Sequence, residues 1–104
     1  MRPIQLVRLD KTRPAVVLTR EFARSAMTSV TIAPITSTVR GLSTEVPVGV
    51  ANGLEAACVI SCDNVQTVPA SSLGRTVGFL LEADEIALAE ALINAFDLRF
   101  EELG

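Results

Sequence analysis

The sequence predicts a mainly β fold closed by one C-terminal α-helix. Short apolar runs rich in β-branched residues recur at close spacing through the first three quarters of the chain. Turn formers, of which Asn52-Gly53 is the strongest, punctuate them. At Ala83 the composition changes, and strong helix formers continue to Phe96. With 104 residues the chain has room for a single domain, assigned to residues 1–104. A domain of this size buries about two thirds of its unfolded surface, enough for a real but thin core.

The elements follow in order. Ile4 to Leu9 alternates weakly and reads as a strand. Ala15-Val16-Val17-Leu18 is a short continuous apolar run, a buried strand starting after Pro14, where a strand tolerates proline. Arg20 to Ser25 is polar and irregular, with room for a helical turn. Ser29 to Ile35 alternates with Val30 and Ile32 on one side. Thr44 to Val48 alternates too, and Pro47 marks it as an edge or a bulge. Asn52-Gly53 is expected to turn tightly into the strand Ala57 to Cys62. Thr76 to Leu81 is the last strand. In the helix, Ile86, Ala89, Leu92, Ile93 and Phe96 recur at three- and four-residue spacing and define the expected core-facing stripe. Glu82, Asp84 and Glu85 gather at its start, where the helix dipole favours negative charge.

Composition narrows the chemistry. The chain has no His, so Ser-His and Cys-His nucleophile pairs and histidine metal sites are excluded. It has no Trp or Tyr and four Phe, a poor supply of base-stacking platforms. The net charge of −3 argues at first against a nucleic-acid partner. That balance is an average. Residues 1–40 carry seven Arg and Lys against two acids, or +5, and residues 41–104 carry two against ten, or −8. A basic face in the first part is therefore compatible with the acidic total.

Cys58 and Cys62 lie four residues apart on a predicted strand, about 13 Å at ~3.3 Å per residue. That is beyond disulfide reach, and two thiols without His do not make a zinc site. They read as two small buried hydrophobes. Met1-Arg2-Pro3 leads into a strand without an apolar signal core, and no run approaches the ~18 apolar residues of a membrane span. A cytoplasmic protein without membrane contact is expected.

Three segments bring reactive side chains to strand ends, where sites on rigid scaffolds lie. Arg13 precedes Pro14 at a strand entrance. Thr36-Ser37-Thr38 places a row of hydroxyls after Ala33-Pro34-Ile35. Asp63-Asn64 places a carboxylate and an amide after the cysteine strand. Taken singly, each is also what an ordinary surface offers: a solvated arginine, a hydroxyl turn, an Asx turn.

In order along the chain these segments resemble the MazF/PemK toxins. Arg13 to Thr19 resembles their RPxVVLS strand. Ala33 to Ser37, Arg40-Gly41 and Thr44 to Val48 are similar to their xPxT(S/T), (K/R)G and xEVxV block. Cys62 to Val68 is similar to xDQ(V/I)RT(V/I), and Leu73 to Gly78 with the helix to Leu98 resembles the family's ending. The resemblance implies a compact SH3-like β-barrel with a C-terminal helix, acting as a homodimer. It implies a metal-independent endoribonuclease without cofactor, which cuts single-stranded RNA to 2′,3′-cyclic phosphate and 5′-hydroxyl ends. A MazE-like antitoxin is the implied partner. The family's site arginine falls on Arg13, its threonine on Thr36 and the aspartate of the PemK branch on Asp63.

That chemistry suits a chain without His, because the ribose 2′-hydroxyl is the nucleophile. Arg13 matches phosphate oxygens with a permanent charge. Thr36 and Ser37 donate hydrogen bonds to them. Asp63 takes the 2′-hydroxyl proton if burial raises its pKa. Asn64 lies beside it on the RNA-binding side. Two cations of the family pattern are missing, with Ser61 and Gln66 in their places, and Arg8, Lys11 and Arg40 are expected to compensate. Only Asp10-Lys11-Thr12 separates the first strand from Arg13, a shorter loop than typical members have, so the groove is expected to be open enough for ribosomal or transfer RNA loops as well as messenger RNA. The glutamate base of the longer loop has no counterpart unless Asp10 stands in. Base specificity is expected from the 20–28 and 40–43 segments. Two other readings remain open: a CcdB-like gyrase poison, which lacks support because the chain has no C-terminal Trp, and a barrel that binds RNA or a peptide without cutting it.

Overall fold

A computed structural model describes residues 1–99, without the side chain of Phe22. Residues 100–104 of the expected 1–104 domain lie outside the described residues. The architecture is mainly β with one long C-terminal helix. The strands are β1 (Pro3–Arg8), β2 (Thr12–Val17), β3 (Ser29–Thr36), β4 (Glu45–Val48), β5 (Cys58–Ser61), β6 (Gln66–Pro69) and β7 (Leu73–Phe79). The helices are a single turn, α1 (Glu21–Arg24), and α2 (Glu82–Ala95).

All strand pairings are antiparallel, in the order β4-β5-β3-β2-β1-β7, with β6 also on β3. The long strand β3 is shared. Its first half, Ser29 to Ile32, pairs with β6, and its end, Ile35 and Thr36, pairs with β5. Pro34 falls between those two pairings, on a stretch where only β2 bonds to β3. A residue without an N–H belongs there, because no ladder needs the bond. Pro14 obeys the same rule. It pairs with Leu6 of β1, while the β2–β3 ladder starts only at Ala15. Pro14 is thus inside β2 rather than before it. Pro47 sits on β4, an edge of the sheet, as expected.

The continuous apolar run of β2 has a simple origin: both its faces are buried. Val16 joins Ile4, Ala33, Ile35, Ile60, Leu80 and the helix residues Leu88 and Ala91 in one core cluster. Ala15 and Val17 join Val7, Val30, Ile32 and Val68 in a second cluster across the sheet. A strand buried on both faces reads as a solid apolar run, not as an alternation.

Two expectations are corrected here. Of the expected stripe Ile86, Ala89, Leu92, Ile93 and Phe96, Leu92 packs on the core and Ile93 is half-buried, but Ile86, Ala89 and Phe96 are exposed, so the core face of α2 is centred elsewhere. Leu88 and Ala91 are buried, with Ala87, Leu92 and Ala95 packed beside them, while Ile86 is 60% exposed and Phe96 56%. Ala, Leu and Ile occupy most positions of this helix, so its sequence has two apolar faces. The rotation is set elsewhere, at Asp84. Its carboxylate accepts the Leu81 N–H (2.8 Å), capping the helix, and the Nδ2 of buried Asn52 (2.7 Å).

Asn52-Gly53 is the second correction. It does not close a two-residue hairpin but ends a 3₁₀ turn, Val50–Asn52, within a longer connection from β4 to β5. Gly53 has φ +91°, and a Cβ there would stand 2.5 Å from the Val77 carbonyl oxygen. A Cβ on Gly78 would come within 1.7 Å of the Asn52 carbonyl oxygen. The turn therefore packs backbone to backbone on β7, which only glycine permits.

Candidate active site

The ends of β2, β3 and β5 and the loop before β4 converge on one cleft of about 690 Å³. Arg13, Thr36 and Asp63, three residues distant in sequence, all line it, and so do Arg40 and Asn64. Three other residues expected at the site do not line it. Arg8 and Lys11 are exposed on the β1–β2 hairpin, and Ser37 is exposed on the bend that follows β3. The strand ends at Thr36 and the chain bends at Ser37, so Thr36 and Thr38 reach the cleft lining and Ser37 does not. The 20–28 segment contributes no lining residue, whereas the 40–43 segment contributes Arg40 and Leu42.

Arg13 is half-buried near the entrance of β2, which the β1 ladder holds through Val7↔Arg13. Its Nε donates to Asp10 Oδ1 at 3.4 Å. The three-residue turn after β1 is closed by Leu9 N–H to the Lys11 carbonyl (3.1 Å), and it sets Asp10 beside the guanidinium. The Arg13 hydrogen bond, followed by the Lys11 backbone N–H, holds the Asp10 carboxyl below the usual aspartate value. A carboxylate so stabilised is a weaker base than an ordinary one. Asp10 is thus better suited to orient Arg13 than to take a proton.

Thr36 ends β3. Its Oγ1 accepts the Thr38 N–H at 3.1 Å, which leaves the hydroxyl proton free to donate into the cleft. Asp63 sits in a 3₁₀ turn, Cys62–Asn64, that follows β5. The Cys62 N–H bonds to the Thr44 carbonyl (3.0 Å) and Thr44 Oγ1 donates to Asp63 Oδ2 at 2.6 Å, so the carboxylate is held by one oxygen. Asp63 is exposed, so the burial that the proton-acceptor role asked for is absent in the free protein. Asn64 is held through Nδ2 to the Oγ of buried Ser61 (2.6 Å). Cys62, the residue before Asp63, is buried. Its thiol is pushed up to about 11, first by burial and then by the Asp63 charge, and it is neutral and inert at ordinary pH. Both cysteines are free thiols.

Of the polar lining residues, the sequence put Asp10, Thr38, Ser61 and Gln66 near the site without a role in it, and it gave no site role to Glu45. Thr38 was readable as the last of the hydroxyl row that follows β3. Glu45 was not, because its partners are backbone groups. Its carboxylate accepts the N–H groups of Arg40 (3.2 Å to Oε1), Gly41 (2.8 Å) and Leu42 (3.1 Å). Two residues of the basic first part have other work. Arg2 donates to the Val17 carbonyl (2.6 Å) and Arg24 to the Thr19 carbonyl (2.8 Å), bracing the chain after β2 away from the cleft. Among the described residues no group of three His, Cys, Asp or Glu side chains comes together to hold a metal ion, and no helix is long and apolar enough to cross a membrane.

Comparison with known proteins bears on this cleft. Residues 6–96 match the family described as PemK-like, MazF-like toxin of type II toxin–antitoxin system. The chain is 60% identical over 98 residues to an endoribonuclease MazF3 of Mycobacterium tuberculosis, covering 94% of this chain and 95% of the relative. Its structure superposes on the M. tuberculosis toxin MazF-mt6 with a TM-score of 0.93 at 58% identity, over 95% of this chain and all of the other. An endoribonuclease solved with its cognate antitoxin from a mycobacterial species shares the fold, with a TM-score of 0.84 at 22% identity over 95% of both chains.

Proposed function

The chain belongs to the PemK-like, MazF-like family of type II toxins, and we propose from its cleft that it is a toxin endoribonuclease using arginine, hydroxyl and carboxylate chemistry on single-stranded RNA. The observation that carries this reading is the convergence of Arg13, Thr36 and Asp63 on one cleft. The ribose 2′-oxygen gives up its proton to Asp63 and bonds to the adjacent phosphorus. The bond from phosphorus to the 5′-oxygen breaks, and that oxygen takes a proton from water at the cleft mouth, so the products end in 2′,3′-cyclic phosphate and 5′-hydroxyl. Arg13, aligned by Asp10, stabilises the charge that grows on the phosphoryl oxygens. Thr36 donates a hydrogen bond from its free hydroxyl to one of those oxygens. Asp63, held by Thr44 at one oxygen, presents the other to the 2′-hydroxyl. The bound strand covers the cleft and displaces water from around Asp63, which supplies the desolvation that the free cleft lacks. Arg40 and Asn64 bind the strand. Arg8 and Lys11, on the hairpin beside the cleft, meet RNA that runs past its rim.

Several further properties belong to the same proposal. The protein works as a homodimer, a single domain over residues 1–104, without metal or cofactor. A MazE-like antitoxin occludes the cleft. The location is the cytoplasm, in keeping with free cysteines and an RNA target. The short β1–β2 turn leaves the cleft open on that side, which admits ribosomal or transfer RNA loops besides messenger RNA; a cleavage map confined to linear messenger RNA sites would overturn that point.

The test is purified protein on a mixed RNA ladder in chelator, with the product ends identified. Arg13→Ala is expected to lower kcat/KM by roughly 10²–10³-fold, as loss of an oxyanion donor does. Asp63→Asn is expected to lower kcat by on the order of 10²-fold. If Asp63→Asn cuts at a near-normal rate while Arg13→Ala does not, Asp63 is not the base. RNA left intact by the wild-type protein sinks the nuclease reading.

A further inference from the structure

Glu45 lines the cleft yet has little freedom to meet a substrate. Three successive backbone N–H groups, of Arg40, Gly41 and Leu42, point at its Oε1, and the Arg40 N–H also lies 3.3 Å from Oε2. The return bond runs from the Glu45 N–H to the Leu42 carbonyl at 3.1 Å. The chain can wrap one carboxylate this closely because Gly41 takes φ +74° at the middle of the loop. The two residues that flank Gly41 are those through which this loop reaches the cleft, Arg40 and Leu42. Two further bonds tie down the stem after them. Thr44 Oγ1 holds Asp63, and Asn94 Nδ2 of α2 donates to the Ser43 carbonyl at 3.2 Å.

We propose that Glu45 is the positioning residue of the RNA cleft, its carboxylate fixing the 40–42 loop so that Arg40 and Leu42 face the strand in one geometry. The proposal rests on the nuclease reading above and adds how the cleft sets its grip. Bonds from N–H groups to a charged acceptor are stronger than neutral ones. A loop ordered before binding does not have to be ordered during it. An amide in place of the carboxylate is the right size and keeps an acceptor oxygen at the Oε1 position, but it removes the negative charge and sets an NH₂ group against the second Arg40 N–H contact at Oε2. Glu45→Gln therefore weakens three charge-assisted bonds and opposes the fourth contact while leaving β4 intact.

The experiment has two arms. In the first, amide hydrogen exchange at residues 40–42 is compared in wild type and Glu45→Gln, with no RNA present. In the second, cleavage kinetics are measured for wild type, Glu45→Gln, Arg40→Ala and the double variant. The expected result is loss of protection at the three amides, a rise in KM on the order of tenfold with kcat changed far less, and a smaller effect of Glu45→Gln in the Arg40→Ala background. Gly41→Ala has open space around its new Cβ but strains the left-handed φ, and it is expected to raise KM in the same way without touching the carboxylate. Protected amides in Glu45→Gln overturn the clamp. Lost protection with an unchanged KM overturns its role in binding. Wild-type protein that leaves RNA intact while its amides stay protected overturns the nuclease reading instead.

Discussion

At the joint between β7, α2 and the turn after β4, Asn52 commits both ends of its amide to the fold: Oδ1 accepts the Gly49 N–H, and Nδ2 donates to the Phe79 carbonyl and to Asp84. In the cleft Asp63 and Asn64, the same pair of side-chain types, are exposed and held at one point each, by Thr44 and by Ser61. The contrast separates structural from chemical polar groups better than residue type does. A buried amide with every hydrogen bond made stabilises the chain and has nothing left for a ligand. A carboxylate anchored by one oxygen, in one cleft with an arginine and a free hydroxyl, keeps capacity for a reaction.

The largest effect expected from this contrast is on stability. Asn52→Ala leaves a buried N–H, a carbonyl and a helix-capping carboxylate short of partners, and is expected to cost about 3 kcal/mol in denaturant unfolding. Cleavage per folded molecule is expected to stay at the wild-type rate. Arg13→Ala is its mirror image, with an unchanged denaturation midpoint and lost cleavage. A variant of Asn52 that folds but cuts poorly would break the division between the two regions.

Next in size is an alkaline limb, which sharpens the contrast at the cleft floor. Cys62, next to Asp63 in the chain, is buried with a thiol at about 11, raised from an ordinary 9.0. The folded state binds this proton more tightly than the unfolded chain does. Its contribution is therefore complete below about pH 9 and is lost as pH rises to about 11, by at most about 2–3 kcal/mol. The chain has no Tyr, so phenols do not mask the loss. Unfolding free energies measured from pH 8 to 11 are expected to fall in wild type and to flatten in Cys62→Ala. An equal slope in both proteins would assign the limb to other groups.

Much of this was legible in the sequence, and what was not has a common cause. Strands β1, β3 and β4 carry alternation, and β2 carries the solid run of a strand buried on both faces, so each was readable from side chains alone. Strand β6 was missed because Gln66-Thr67-Val68-Pro69 has a single buried residue and borrows its order from β3. Arg13, Thr36 and Asp63 were readable as strand-end residues, and through the resemblance, but their meeting in one cleft depends on β3 switching partners at Pro34. Glu45 was not readable, since its partners are backbone N–H groups brought together by one left-handed glycine. The basic surplus of the first forty residues overstated the RNA face, because Arg2 and Arg24 bond to backbone carbonyls.

The smallest effect tests the helix, where sequence periodicity chose the wrong face. If α2 is oriented by Asp84 and by packing of Leu88 and Ala91, then Ile86, Ala89 and Phe96 lie outside the fold's own core. Ile86→Ser should then change unfolding free energy by no more than about 0.5 kcal/mol, the range of surface substitutions. A core isoleucine would cost several times more. The measurement belongs at protein concentrations low enough to keep the chain monomeric, since association that covers Ile86 would add its own contribution. A loss there on the scale of Asn52→Ala would mean that Ile86 is buried in the folded monomer, and that Asp84 does not set the rotation of the helix.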